Sequence, residues 1–237
     1  RIKENPAKPF MAIVGGAKVS DKIDVLDKLI EKVDTLAIGG AMAYTFLKAR
    51  GIATGKSLVE PDKVALANDL LAKAKARGAV VLLPLDHVAV KAIENTASAH
   101  DTSGEAIAED ELGVDVGPQT LQQVAAPLAG AKTIFWNGPL GWFEKPEYAV
   151  GTFEVARAVA DLDAVKVVGG GDTVSAIKSN PQILAFPKFV PLLSPSIKVV
   201  NVPPVILVVI VVGRNSKTFW SIDGFFMTIK KSPANRD

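Results

Sequence analysis

Two lysines and two glycines lie close together near the start of the chain, in the segment GGAKVSDK at residues 15–22. The segment follows the apolar run FMAIV and precedes apolar residues at helical spacing, so we predict a strand-to-helix junction. Lys18 is expected at the helix N-terminus, which disfavours cations, and Lys22 follows four residues later on the same helical face. An anionic ligand would relieve both unfavourable placements, so the two lysines are candidates for holding phosphate.

An alternative for this segment is a tight turn of small residues with both lysines solvated. The residues of the segment alone leave that choice open. The spacing differs from the P-loop pattern, in which a glycine stands four residues before Gly-Lys-Ser/Thr, so no P-loop is predicted.

Three further glycine-containing segments each follow an apolar run. The segment IGGAMA at residues 38–43 permits close backbone approach, either to a ligand or to a neighbouring helix. The segment WNGPLGWFE at residues 136–144 predicts either a stiff apolar wall for a purine, with Glu144 accepting hydrogen bonds from ribose, or a turn that closes the core. In VVGGGDTV at residues 167–174 the glycines expose backbone N–H groups, and Asp172 is either a helix N-cap or a ligand for Mg²⁺ beside phosphates.

Short apolar runs bounded by turn residues recur along the chain and predict β-strands at residues 10–14, 35–38, 79–83, 132–136 and 165–168. Helical periodicity separates them, over residues 23–33, from Pro61 to Arg77 before Gly78, after Pro118, and from Tyr148 to Ala160. This alternation predicts an α/β domain of the Rossmann-like three-layer type, in which a parallel sheet is flanked by helices on both faces. Ligands of such sheets bind beyond the carboxyl ends of the strands, where the glycine-rich segments are placed.

Two parts of the chain depart from this alternation. Residues 89–116 carry polar clusters and an acidic patch, and we predict a surface excursion with a small hairpin. Residues 181–237 hold seven Lys or Arg and two Asp or Glu, so they form an atypical basic and apolar tail for which no fold is predicted. Within the tail, the run VILVVIVV at residues 205–212 has the composition of a buried strand or of an aggregation-prone segment.

The composition of the 237 residues bounds the possible functions. With 49% hydrophobic residues the chain can bury a sizeable core, and a net charge of +2 without a basic cluster argues against nucleic-acid binding. The absence of cysteine excludes a disulfide scaffold, and His87 and His100 are expected to be structural or solvated. The longest apolar run is too short for a membrane helix, and Arg1 follows no leader, so we expect a soluble chain whose N-terminus is a cut.

Taken in order, the segments GGAKVSDKI, IGGAMAYTFLKA, DVGPQT, WNGPLGWFE and GGGDTVSAI closely resemble the C-terminal, nucleotide-binding domain of the phosphoglycerate kinase family. The resemblance runs from about Pro9 to about Ser179. It implies one lobe of a two-lobed glycolytic kinase that transfers a phosphoryl group between 1,3-bisphosphoglycerate and Mg-ADP, giving 3-phosphoglycerate and Mg-ATP. The implied organisation is a remnant of the interdomain linker at residues 1–8, the nucleotide-binding domain at residues 9–180, and the atypical tail at residues 181–237.

The resemblance also implies a role for each site residue. The catalytic pair would be Lys18, which meets the transferred phosphoryl, and Lys22, which meets the nucleotide phosphates. Asp172 would hold Mg²⁺, Asn137 would face the phosphate chain, and Glu144 would bind the ribose. The residues beside the phosphates would include Gly170, Gly171 and Thr173. The adenine slot would be walled by Gly16, Gly39, Gly40, Leu58, Gly113, Val114, Pro139 and Trp142.

Two departures from the family limit what this chain is expected to do alone. The N-terminal lobe that grips the phosphoglycerate is missing, and nothing in residues 181–237 matches the Ser-Thr-Gly-Gly-Gly-Ala segment near the family's C-terminus. We therefore expect a cytoplasmic, monomeric fragment that binds ATP or ADP but is inactive by itself. The alternative is a non-catalytic nucleotide-binding or interaction protein derived from a truncated relative. An NAD-dependent dehydrogenase is disfavoured because GGGD lacks the G-x-G-x-x-G spacing.

Overall fold

The computed structural model describes residues 6–180 and the backbone of residues 207–210. Its main sheet has six parallel strands in the order β3-β2-β1-β7-β8-β9. These strands are β1 (Phe10–Val14), β2 (Thr35–Ile38), β3 (Val80–Leu82), β7 (Thr133–Asn137), β8 (Val165–Gly169) and β9 (Leu207–Ile210). The first strand of the chain is central, because β1 pairs in parallel with both β2 and β7.

Helices cover both faces of this sheet. They are α1 (Ile23–Ile30), α2 (Met42–Ala49), α3 (Val64–Arg77), α4 (Pro118–Gly130), α5 (Val150–Asp161) and α6 (Gly171–Ser179). Alternate residues of β1 divide between two cores: Phe10 and Ala12 pack with α1, α2 and α3, whereas Met11 and Ile13 pack with α4, α5 and α6. This alternation is what a strand buried on both faces requires. The predicted α/β three-layer fold is confirmed.

Local signals set most helix boundaries. Pro61 opens a 3-10 turn, Pro61–Lys63, immediately before α3, and Gly78 ends α3 in the left-handed conformation with φ of 82°. The first helix ends at Ile30, earlier than the expected position 33. Val33 is nevertheless fully buried, because a turn after α1 returns it to the core. The spacing of Val33 from the helical residues therefore indicated a buried position, but it did not indicate where the helix ends.

The region at residues 89–116 is not a surface excursion, although the small hairpin predicted there has a counterpart in an antiparallel strand pair. This region contributes to a three-stranded antiparallel sheet of order β5-β4-β6, formed by β4 (His87–Val90), β5 (His100–Asp101) and β6 (Leu112–Val116). Ala89 and Ile107 are buried in the same core as α2. The second sheet is therefore a packed part of the domain, held by pairings between distant segments.

The predicted strand within residues 205–212 has a counterpart in the backbone of β9, which pairs with β8 in parallel. The rest of the predicted tail, and residues 1–5 of the predicted linker remnant, lie outside the described residues. In the part of the chain that the structure describes, every helix is too short or too polar to cross a bilayer.

Candidate functional site

The site lies where the direction of strand order reverses, between β1 and β7. From β1 the chain moves to β2 on one side, whereas β7 is followed by β8 on the other side. In open parallel sheets, the loops after the two central strands diverge at such a point and leave a crevice for ligands. The four glycine-containing segments all follow the carboxyl ends of β1, β2, β7 and β8, which brings them to this one edge of the sheet.

Backbone hydrogen bonds connect the loops after β1 and β7. The N–H of Gly15 donates to the carbonyl of Asn137 at 2.9 Å, and the N–H of Gly16 donates to the carbonyl of Pro139 at 3.1 Å. Both N–H groups are thus occupied by protein acceptors and are unavailable to a phosphate. The glycines of the first segment serve mainly to let two backbones approach each other.

The glycines after β2 have different roles. A Cβ on Gly39 would lie 2.4 Å from a methyl carbon of Leu140, so Gly39 is a packing position beneath the site. Gly40 has φ of 65°, and its N–H donates to the carbonyl of Leu140 at 3.0 Å. Gly40 reaches the pocket surface, whereas Gly39 does not line it. Gly39 was expected in the adenine wall, but the structure places it beneath the pocket.

Between these loops is a pocket of about 400 Å³, within the range of small-molecule sites. It is lined by Gly16, Ala17, Gly40, Ala41, Tyr44, Leu58, Ile93, Leu112, Gly113, Val114, Pro139, Leu140, Gly141, Trp142, Phe143, Glu144 and Asp172. The structure thus brings together seven of the eight expected wall residues, along with Glu144 and Asp172. Trp142 is 39% exposed although it is large and apolar, which leaves its ring accessible at the pocket.

Sequence analysis missed several lining residues. Ile93 and Leu112 belong to the region of the small sheet, which was expected to be a surface excursion with a small hairpin. Tyr44 lies one helical turn after Ala41, so the helical pattern after the glycines contained a usable signal. A Cβ on Gly113 would lie 2.0 Å from the Tyr44 hydroxyl. A side chain at position 113 would therefore collide with the buried Tyr44, and Gly113 also lines the pocket.

Polar side chains gather beside the end of the pocket that Asp172 lines. The other residues expected at the phosphates do not themselves line the pocket: Lys22, Asn137, Gly170, Gly171 and Thr173. Lys22 is half-buried, and its Nζ donates a hydrogen bond to Oδ1 of Asn137. Burial lowers the pKa of Lys22, while the nearby carboxylates of Asp172 and Asp21 oppose this shift. The Thr173 hydroxyl is buried and accepts the N–H of Gly138 at 2.6 Å, so it links β7 to α6.

The start of α6 completes this charged end. Gly170, with φ of 93°, is the N-cap, Gly171 begins the helix, and Asp172 stands in the first turn. The interpretation of Asp172 as an N-cap was therefore wrong, and its carboxylate is exposed at the pocket. The first N–H groups of a helix have no acceptor within it, and they carry partial positive charge. This end of the pocket is suited to an anion.

Lys18 does not occupy the helical position that was expected. Residues 17–22 form a turn in which the N–H of Lys22 donates to the carbonyl of Val19, and α1 begins only at Ile23. Lys18 and Lys22 therefore do not share a helical face, and the argument from like charges four residues apart was wrong. Lys18 is exposed and does not line the pocket.

The residues at this end fit Mg²⁺ only together with a phosphate ligand. Among residues 6–180, no group of three or more His, Asp or Glu is arranged to hold a metal ion. Asp172 offers a single exposed carboxylate, and Mg²⁺ commonly takes one or two carboxylates plus phosphate oxygens and water. Asp172 with a bound nucleotide would supply that set.

Neither histidine lines the pocket. His87 is 1% exposed; its Nε2 lies 3.1 Å from the carbonyl oxygen of Glu105, and burial lowers its pKa. His100 is exposed, with Nε2 3.5 Å from a carboxylate oxygen of Glu111. These surroundings agree with the expectation that each histidine is structural or solvated.

Asp115 is a buried carboxylate behind the pocket wall. Its oxygens accept the N–H groups of Gly151 at 2.7 Å and Val116 at 2.9 Å. A Cβ on the pocket residue Gly141 would lie 2.1 Å from Oδ1 of Asp115. Burial raises the pKa of Asp115 from 3.8 to about 7, although the two N–H groups favour its charged form. Asp115 thus joins β6, the Trp142 loop and the start of α5.

The raised pKa of Asp115 predicts a pH-dependent stability. The folded chain binds the proton of Asp115 more tightly than the unfolded chain does. The contribution of this proton to the free energy of unfolding is therefore full below about pH 4 and is lost as pH rises through about 7. Asp115→Asn cannot ionise, so its free energy of unfolding should improve relative to the original chain between about pH 5 and about pH 8. Urea denaturation of both chains across that range measures the difference. A difference that stays constant with pH would contradict the prediction.

The fold and the site together define a class: an α/β protein with a parallel sheet and an apolar pocket with one charged end at its switch point. The sequence profile of the phosphoglycerate kinase family matches residues 1–183. The chain belongs to the phosphoglycerate kinase family.

Individual relatives agree with this membership. The chain is 55% identical over 179 residues to phosphoglycerate kinase from Bdellovibrio bacteriovorus, covering 76% of this chain and 45% of that protein. It is 53% identical over 174 residues to the enzyme from Anaeromyxobacter dehalogenans strain 2CP-C, covering 73% and 44%. The chain therefore spans less than half the length of these curated relatives.

Solved structures show the same fold. Phosphoglycerate kinase from Coxiella burnetii matches with a TM-score of 0.71 at 42% identity, over 76% of this chain and 47% of that one. The enzyme from Pyrococcus horikoshii matches with a TM-score of 0.65 at 27% identity, over 76% and 46%.

Proposed function

We propose that residues 9–180 are the nucleotide-binding domain of a phosphoglycerate kinase and that the pocket at the switch point binds Mg-ADP and Mg-ATP. One observation carries the proposal: Asp172, in the first turn of α6, is exposed at one end of an apolar pocket, and the half-buried Lys22 lies close to it. This combination suits a flat base at one end and phosphates at the other. With its second lobe, such an enzyme transfers a phosphoryl group between 1,3-bisphosphoglycerate and ADP.

The pocket walls suit the base and the sugar. Leu58, Pro139 and Trp142 provide apolar surface for a purine, and the glycines let the backbone approach its faces closely. Glu144 lines the same pocket and is exposed, so its carboxylate is available to accept hydrogen bonds from ribose hydroxyls. Gly39 supports this wall from below through Leu140.

The phosphates belong at the charged end. Lys22 neutralises phosphate charge, Asn137 orients the Lys22 ammonium, and Gly170 and Gly171 begin the helix whose free N–H groups favour anions. Asp172 is the residue that would hold Mg²⁺, which supplies neutralisation of the nucleotide phosphate charge when bound. Thr173 keeps this end attached to the loop after β7.

Lys18 acts on the group that arrives from outside the domain. It is exposed, follows the pocket residue Ala17 in sequence and does not itself line the pocket, so it is accessible to a phosphoryl group presented by a second lobe. The phosphoglycerate substrates would be held by that lobe, because this chain covers less than half of its relatives. Closure of two lobes excludes water from the transfer step.

Calorimetric titration with Mg-ADP tests the proposal directly. We expect binding in the range of about 1 μM to about 1 mM, as for most enzyme substrates, and negligible turnover of 1,3-bisphosphoglycerate by this chain alone. Titration with Mg-free ADP should give weaker binding, because Asp172 then lacks its bridging cation. A folded sample, verified by circular dichroism, that binds no Mg-ADP in this range would overturn the proposal.

A further inference from the structure

We infer that Glu60 is a positioning residue for the nucleotide phosphates, and this inference rests on the proposed function. Glu60 does not line the pocket. It acts on the segment at residues 17–22, here called the lysine turn, which carries Lys18 and Lys22.

The lysine turn is anchored by the Glu60 carboxylate. Oε2 accepts the N–H of Val19 at 2.5 Å and the N–H of Ser20 at 3.2 Å, and Oε1 accepts the Ser20 hydroxyl at 2.6 Å. One side chain therefore binds three donors of a six-residue turn from forty positions away in sequence. The turn otherwise precedes a helix whose N-cap, Lys22, makes no side-chain capping hydrogen bond.

Glu60 is itself held in place by the domain core. Its N–H donates to the hydroxyl of Thr45 at 3.1 Å, and Thr45 is buried on α2. The next residue, Pro61, restricts the backbone and opens the turn before α3. Glu60 therefore fixes the lysine turn relative to α2 and α3.

The charge of Glu60 strengthens these contacts. Burial alone would raise its pKa, but the hydrogen bonds from Ser20 and Val19 outweigh burial and lower the pKa. The carboxylate is thus ionised at neutral pH, and hydrogen bonds to a charged acceptor are the stronger kind. The same bonds occupy the N–H groups of Val19 and Ser20, so the turn offers a ligand its lysine side chains and not these backbone donors.

Loss of Glu60 should misplace Lys22 without damaging the apolar pocket. Val19 is fully buried and keeps the middle of the turn on the core. The direction of the chain on either side of Val19, however, depends on the carboxylate. Lys22 would then spend less time against Asn137, where it faces the phosphate end.

The test compares Glu60→Ala and Glu60→Gln with the original chain in calorimetric titrations of Mg-ADP and of adenosine. We expect Glu60→Ala to bind Mg-ADP about tenfold more weakly. Glu60→Gln should fall between them, because its amide oxygen still accepts a hydrogen bond. Adenosine affinity should change by less than about twofold in both variants, since adenosine has no phosphates for Lys22. Asp62→Asn is the matched control, because Asp62 pairs with Lys63 at the surface.

Amide hydrogen exchange on the ligand-free chain separates this inference from the proposed function. Exchange at Val19 and Ser20 should accelerate in Glu60→Ala and stay unchanged in Asp62→Asn. If the original chain bound no nucleotide, the proposed function would fail while the exchange result still tested the anchor. Unchanged exchange, unchanged Mg-ADP affinity in a binding-competent chain, or equal weakening of Mg-ADP and adenosine would each overturn the positioning role.

Discussion

Replacing Gly15 by alanine is expected to destabilise the folded chain by about 3 kcal/mol or more. A Cβ at this position would lie 2.0 Å from the carbonyl oxygen of Pro139 and 2.9 Å from that of Gly138. Both atoms are backbone, so no side-chain rotation relieves the clash. The alternative is separation of the loops after β1 and β7, which breaks the hydrogen bond between Gly15 and Asn137 and opens the pocket at its base.

Urea denaturation measures this effect against a matched glycine. Gly130 is the last residue of α4, and a Cβ there would meet nothing within 4 Å. Gly130→Ala is expected to stay within about 1 kcal/mol of the original chain, with a slight gain because alanine favours helix. Equal stabilities for Gly15→Ala and Gly130→Ala would show that the close approach of the two loops does not exist in solution.

Substitution of Lys22 by methionine is expected to weaken Mg-ADP binding at least tenfold, or by about 1.4 kcal/mol. Methionine keeps the apolar stem that Lys22 buries but removes the ammonium that faces Asn137 and Asp172. The nucleotide phosphates then lose a positive charge supplied by the protein, while the purine walls are untouched. Adenosine affinity should be unchanged. The folded chain should lose little stability, because burial already disfavours the charged form of Lys22.

Two further lysine substitutions sharpen this prediction. Lys75→Met removes the same charge from the exposed face of α3 and should leave Mg-ADP affinity within about twofold, because exposed charges are strongly screened. Lys18→Met should weaken binding less than Lys22→Met, since Lys18 is exposed whereas Lys22 is half-buried close to Asp172. In an enzyme joined to its second lobe, Lys18→Ala should instead reduce turnover more than affinity. Equal losses for Lys22→Met and Lys75→Met would assign the effect to net charge alone.

The sheet and its helices were largely predictable from the sequence. The predicted bounds of β1 and β2 agree with the structure, and β7 and β8 differ by one residue at their ends. These strands are buried on both faces, so they stand out as continuous apolar runs between turn residues. Pro61 and Gly78 added backbone signals that act locally and need no tertiary context.

The parts that sequence analysis missed depend on contacts between distant segments. Strand β5 has two residues, both exposed, and its existence depends on pairing with β4. Residues 17–22 carry a helix-like charge spacing, but the anchor that makes them a turn is Glu60, far along the chain. A local pattern contains no information about that partner.

In the candidate site, too, some features were predictable from the sequence and others depend on contacts between distant segments. The resemblance of the ordered motifs to one family was sufficient to predict nine of the residues that line the pocket. The different purposes of Gly39 and Gly113 could not be predicted, since one accommodates Leu140 and the other the Tyr44 hydroxyl. A glycine in a sequence indicates that something comes close, and only the folded structure identifies the neighbour.

The central position of β1 has a consequence for synthesis of the chain. Its partner β7 is made about 120 residues later, so β1 remains the edge of an incomplete sheet until most of the domain has been synthesised. An apolar edge strand is prone to pairing with other chains. Any product that stops before Thr133 should therefore aggregate, and it should bind no nucleotide, because the Pro139 and Trp142 side of the pocket has not yet been made.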